Sequence, residues 1–263
     1  MNGKIKYTVG ERVFQVANTI LMLLILLVTL YPFYYTVIAS ISDGSELIRG
    51  NVLFWPVKPT LEAYALIPKI KNFFLAYGNT IFYTVAGAMI SLVVMSMGAY
   101  AMSRTRLRGR RLVGFLVSFT LWFKAGIIPI YLNMDSLNLL DTRLGILLGF
   151  ACNAFYIVIM RTYFEGIPVE LEEAARIDGL SNFGIFLKIM VPLSKPMFAT
   201  IALYCAVNRW NGYFWAMILL QDERKAPLQV LLKKIIIENQ MLSSLEGASG
   251  FDFTIQALKY AIF

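Results

Sequence analysis

No side chain between Val13 and Ser42 carries a charge, and the same is true from Asn72 to Ser103. As a helix the first run would extend about 45 Å at ~1.5 Å per residue, more than the roughly 30 Å hydrocarbon core of a bilayer. Two such runs predict membrane-spanning helices that tilt or protrude. The first is too long for a cleaved signal peptide, whose apolar core is about 7–15 residues. The chain is 58% hydrophobic and 15% charged, against about 45–50% and about 25% in soluble domains.

The pattern predicts an all-α membrane protein with five full spans, near 13–38, 73–102, 112–133, 144–164 and 197–220. A sixth apolar stretch begins near Phe253 and stops at Phe263, too short to cross, so the sixth helix is expected to be incomplete and to continue beyond this sequence. Residues 1–71 form an N-terminal tail, first helix and external loop, and residues 72–263 the core.

The net charge of +8 does not point to nucleic acid, because the basic residues lie between the apolar runs. Arg104, Arg106, Arg108, Arg110 and Arg111 share one short loop, a cytoplasmic signal. Lys4, Lys6 and Arg12 in the tail, and Arg176, Lys188 and Lys195 after the fourth span, fall on the same side of this topology. The N-terminus is therefore expected inside. The mixed-charge loops near 39–71, 134–143 and 221–252 are expected outside, with Trp55 and the prolines of the first marking turns at the membrane interface. In the last, Pro227 to Ile237 has the spacing of an amphipathic helix, either lying on the membrane surface or meeting an external partner. Cys152 and Cys205 lie in apolar runs and read as small hydrophobes, and with no histidine anywhere no metal site is expected.

Residues 166–196 differ from their surroundings. Pro168 suits the first position of a helix, and Glu170, Glu172 and Glu173 complement its positive end. Gly179 suits a left-handed cap, and Ser181 can start a second helix toward Met190. This helix-turn-helix offers a small apolar surface of Leu171, Ala174, Ala175 and Ile177. It can be a docking element or an ordinary connector on the membrane surface.

The series Glu173-Ala174-Ala175-x-x-x-Gly179, followed by Ile189-x-x-Pro192, resembles the EAA loop of binding-protein-dependent ABC importer permeases, with Val191 where that pattern often has leucine. The longer Pro168-x-Glu170-Leu171-x-Glu173 form and Trp210-Asn211-x-Tyr213-Phe214 resemble the carbohydrate branch. The resemblance implies a type I ABC importer transmembrane domain of six helices. It also implies ATPase coupling through Glu173, Ala174, Ala175, Gly179, Ile189 and Pro192. Implied partners are a second homologous permease, two ATP-binding cassette subunits that hold the ATP and Mg, and an external solute-binding protein. The chain itself would need no cofactor, and it contains no phosphate-loop motif.

Arg209, in the fifth span, costs about 2.5–3.5 kcal/mol if placed in lipid, so it is expected to face a wet cavity, a partner or the membrane edge. Lys124 raises the same question. Asn208, Trp210, Asn211 and Tyr213 suit a sugar path, which needs hydrogen-bonding groups and aromatic faces; interhelical packing is the other use of such residues. No proposed span holds an interior Asp or Glu, which disfavours an ion-coupled carrier. The remaining alternatives are a permease for a non-sugar solute and a membrane-embedded enzyme, for which no catalytic constellation is present.

Overall fold

The computed structural model describes residues 8–245 and residue 260, and every regular element among them is helical. The tail residues Lys4 and Lys6 and the last apolar stretch, Tyr260 apart, lie outside the described residues. Two compact units result, residues 1–71 with 235–263, and residues 72–234.

In the first unit α1 runs Val9–Ser40. Thr8 and Glu11 cap it reciprocally, Thr8 N–H donating to Glu11 Oε2 at 2.7 Å and Glu11 N–H to Thr8 Oγ1 at 3.3 Å. Its long apolar surface is exposed, as a helix solvated by lipid requires, while its end at Ile38, Ala39 and Ser40 is buried. The following segment is ordered, with α2 at Gly44–Ile48 and α3 at Glu62–Leu66. Buried Glu46 holds it together, accepting from Lys58 at 2.7 Å and Asn51 at 2.5 Å. Tyr31 and Tyr34 donate to the carbonyls of Leu53 and Phe54, and Trp55 beside them is exposed.

The second unit is organised around α4, Phe73–Ser103. One face carries Gly87, Ala88, Ser91 and Ala99, small residues that let other helices approach closely. The next helices are α5 Arg110–Trp122, α6 Ile127–Ser136, α7 Arg143–Leu148 and α8 Ala154–Glu165. Then come α9 Val169–Ile177, α10 Asn182–Ile185, a π-helical turn Phe186–Met190, α11 Val191–Leu193 and α12 Lys195–Trp210. The series closes with α13 Phe214–Leu219 and the first residues of α14, Leu228–Leu245, which runs past the end of this unit at residue 234. One core joins Met95 and Ala99 of α4 to Met160 and Phe164 of α8 and Met197 and Ile201 of α12. A second gathers Tyr83, Met134, Ile146, Leu147, Ala216 and Leu219.

The expected spans two through five do not all appear as single rods. Among the described residues, α1 and α4 alone are long and apolar enough to cross unaided, and a third span arises only if the pair 182–193 and 195–210, bent by 85°, is counted as one. The run 112–133 breaks at Phe123–Gly126, leaving exposed Lys124 in the gap; 144–164 breaks at Gly149–Asn153; and 197–220 breaks at Asn211–Tyr213. Each gap contains glycine or asparagine, whose backbone freedom and cap-forming side chains end helices even inside apolar runs. Asn153, for instance, caps α8 by accepting from Phe155 N–H at 3.0 Å. Irregular backbone survives at such depth only if its carbonyls and amides find partners.

Candidate functional site: a docking helix and a polar cavity

Helix α9 begins at Val169, one residue later than expected, because Pro168 is extended (ψ 134°) and serves as the cap. Its C-terminus is a complete Schellman motif. Gly179 N–H donates to Arg176 O at 3.0 Å and Leu180 N–H to Ala175 O at 3.0 Å, with Gly179 at φ +82°. Ser181 then starts α10, its Oγ accepting from Gly184 N–H at 3.2 Å.

The helix has two faces. Glu173, Ala174 and Ile177 are exposed, Ile177 at 87%. Ala175 instead packs into the core of its own chain, so the paired alanines point in different directions. Ile189 lies half-buried in the π-helical turn, and exposed Pro192 sits in α11 just beyond it. Proline has no N–H to return to Lys188 O, which accounts for the wider turn directly ahead of it.

Sequence reasoning gave Glu172 only a helix-end role, but it is the best-connected residue of the segment. Its side chain is fully buried and pairs with Arg104 at 3.0 Å, Arg106 at 2.9 Å and Arg176. Two of the loop arginines read as orientation signals are thus structural as well. A buried carboxylate needs this much positive charge around it to offset its lost hydration.

In the same unit a cavity of about 450 Å³ opens among α4, α7, α8, α12 and α13. Asn208, Asn211 and Tyr213 line it, together with Asn153, Tyr156 and Trp215. Trp210 does not: it packs edge-on against Tyr77, centroids 6.0 Å apart, because the helix turn carries it to the opposite side of α12 from Asn208. Asn208 Nδ2 donates to Tyr156 Oη at 2.8 Å, and Tyr156 stacks parallel on Tyr204. No Asp or Glu is among the lining residues.

Arg209 lies on the cavity wall, and its guanidinium is held by backbone. It donates to the carbonyls of Ile146, Leu147 (3.2 Å) and Phe150 (2.8 Å) and approaches Ser91 Oγ at 3.5 Å. The first two are carbonyls that the end of α7 leaves without helical partners, and the third lies in the gap beyond it. The arginine that seemed costly in a span thus satisfies an interruption in its neighbour.

In the turn before α7, Asp141 ties two turns together. It accepts from the amides of Gln221 (3.1 Å) and Asp222 (3.0 Å) and from Lys225 Nζ (2.9 Å). The Asp222 amide, then the Lys225 ammonium, holds its carboxyl below the usual range.

Residues 110–245 match the family described as binding-protein-dependent transport system inner membrane component. The protein LplC of Bacillus subtilis is 37% identical, the match covering 92% of this chain and 81% of that one. The polygalacturonan/rhamnogalacturonan transport system permease protein YtcP of the same organism is also 37% identical, over 96% and 89%. The lactose transport system permease protein LacG of Rhizobium radiobacter is 28% identical over 87% and 84%. A chain in the crystal structure of a bacterial ABC transporter involved in the import of the acidic polysaccharide alginate superposes with a TM-score of 0.88. It is 46% identical, covering 98% of this chain and 93% of that one. The chain belongs to the family of inner membrane components of binding-protein-dependent transport systems, and is a transport subunit with the type I ABC permease fold. The resemblance read from residues 168–192 and 210–214 pointed to this family.

Proposed function

We propose that this chain is one of two permeases that carry an oligosaccharide through the cell membrane, with α9 seated in an ATPase subunit on the cytoplasmic side. The observation that carries the reading is the pairing, in one unit, of the outward face of α9 with the amide- and aromatic-lined cavity farther along α4 and α12. Asparagine side chains and a tyrosine hydroxyl exchange hydrogen bonds with sugar hydroxyls, and aromatic faces stack on sugar rings. The names of the relatives point to carbohydrate cargo in the same way.

In this reading ATP and Mg are bound by two cassette subunits. Glu173, Ala174 and Ile177 meet the ATPase, while Ala175, Gly179, Ile189 and Pro192 hold the segment in shape. A binding protein delivers cargo from outside. The N-terminus is cytoplasmic, which puts the arginine-rich loop inside.

The test is uptake of labelled oligosaccharides into proteoliposomes holding the full complex. Uptake should require ATP and binding protein, and Asn208→Ala with Tyr156→Phe should lower it at limiting substrate. Uptake driven by an ion gradient without ATP would overturn the reading, as would labelling of a cysteine at Ala174 from outside only.

A further inference from the structure

Besides the short link back through Gly166–Pro168 to α8, whose Tyr156 lines the cavity, two routes lead from α9 to it. Along the chain, α9 reaches α12 through α10, the π-helical turn, α11 and an 85° bend. Three short pieces and a bend make a compliant link. Through space, Glu172 reaches Arg104, which caps the C-terminus of α4.

Arg104 is where four elements meet. One nitrogen, Nη1, lies 3.0 Å from Glu172 of α9. The other, Nη2, donates to Phe164 O at the end of α8 (3.1 Å) and approaches the Met190 sulfur of the π-helical turn (3.4 Å). The guanidinium also lies 5.2 Å from the centre of the Tyr100 ring of α4. The side chains are well enclosed, Arg104 at 15% exposure and Glu172 at 0%. From this joint α4 continues unbroken to the cavity, where Tyr83, Ser91 and Met95 form part of the wall. Ser91 stands 13 residues before Arg104, about 20 Å along the helix.

We propose that Arg104 and Glu172 are the positioning pair through which displacement of α9 is delivered to α4, so that α4 moves the cavity wall as a rod while α12 follows through its bend. The proposal rests on reading α9 as the ATPase-coupling helix. Arg106 and Arg176 hold the Glu172 carboxylate in place, and the fork of Arg104 carries the connection.

The test uses the complete complex in proteoliposomes, with Glu172→Gln, Arg104→Lys and the double variant as a cycle. Sugar carried per ATP hydrolysed is one readout. The other is an ATP-induced distance change between spin labels at exposed Val93 of α4 and exposed Leu203 of α12. In Glu172→Gln the resting distance should match wild type, the ATP-induced change should shrink, and sugar per ATP should fall by about fivefold or more. The double variant should lose no more than the worse single.

Where Glu172→Gln does not assemble, Arg104→Lys decides, because it keeps the charge and removes the fork. Unchanged distance response and sugar per ATP in the assembled variants overturn the proposal. A wild-type complex with no ATP-dependent uptake is a separate outcome and overturns the coupling reading itself.

Discussion

Replacing Arg209 by methionine tests whether this guanidinium holds the break between α7 and α8. Methionine keeps an unbranched stem and removes every donor, so the carbonyls of Ile146, Leu147 and Phe150 lose their partner together. Ile146 and Phe150 line the cavity, where water can replace part of what is lost. Leu147 is buried and does not line it, so its carbonyl bears the full penalty of about 1–3 kcal/mol. With smaller losses at the other two, the expected destabilisation is about 2–4 kcal/mol. Thermal unfolding in nanodiscs, followed by loss of monodisperse complex, should show it as a clear drop in midpoint.

Gly87→Ala should shift stability the same way by less, because a Cβ there would lie 3.0 Å from Arg209 Nε and 3.2 Å from Cζ, forcing the guanidinium aside. The two changes act on one contact and should not add. If Arg209→Met unfolds within about 0.5 kcal/mol of wild type, the ordinary range for an uninvolved site, the capping argument fails.

Gly179→Val should leave the spans inserted and weaken ATPase capture and transport. The added side chain meets open space, so the effect is backbone strain of about 1–3 kcal/mol at φ +82°, and normal ATPase pull-down and uptake would contradict it. Acid should loosen the Asp141 clasp: its folded pKa is depressed, so its contribution is complete above the ordinary carboxylate value and is lost as pH falls through the lower, folded value. Melting midpoints taken from pH 6 down to pH 3 should therefore fall less steeply in Asp141→Asn than in wild type. Cys152 is exposed on the cavity wall while Cys205 is buried, so a small methanethiosulfonate should modify Cys152 first, and bound sugar should slow it; mass spectrometry of the labelled peptides reads both.

How much of this was legible beforehand depended on the range of the interaction. The charge-free runs gave α1 and α4, because hydrophobicity over thirty-odd residues acts locally and additively. The caps at Gly179 and Ser181 were equally legible, each being a choice made within one turn. The breaks at 123–126, 149–153 and 211–213 were masked by apolar neighbours that look the same on either side of a gap. Glu172 does sit in the first turn of α9, but its ion pairs went unread because a glutamate there has an ordinary explanation nearby, while its partners Arg104 and Arg106 lie far back in the sequence. Trp210 was grouped with Asn211 by adjacency, but successive residues on a helix face different ways. Arg209 was recognised as anomalous, yet its partners are backbone carbonyls, which no residue type announces.

The pairing of Arg209 with the gap after α7 also bears on how the protein is made. An apolar segment with bare carbonyls at its middle is a poor guest in lipid, and so is a helix carrying a guanidinium. Each supplies what the other lacks, so the two are suited to leave the translocon together as a hairpin. A ribosome stalled before Arg209 emerges would hold the earlier segment only partly integrated.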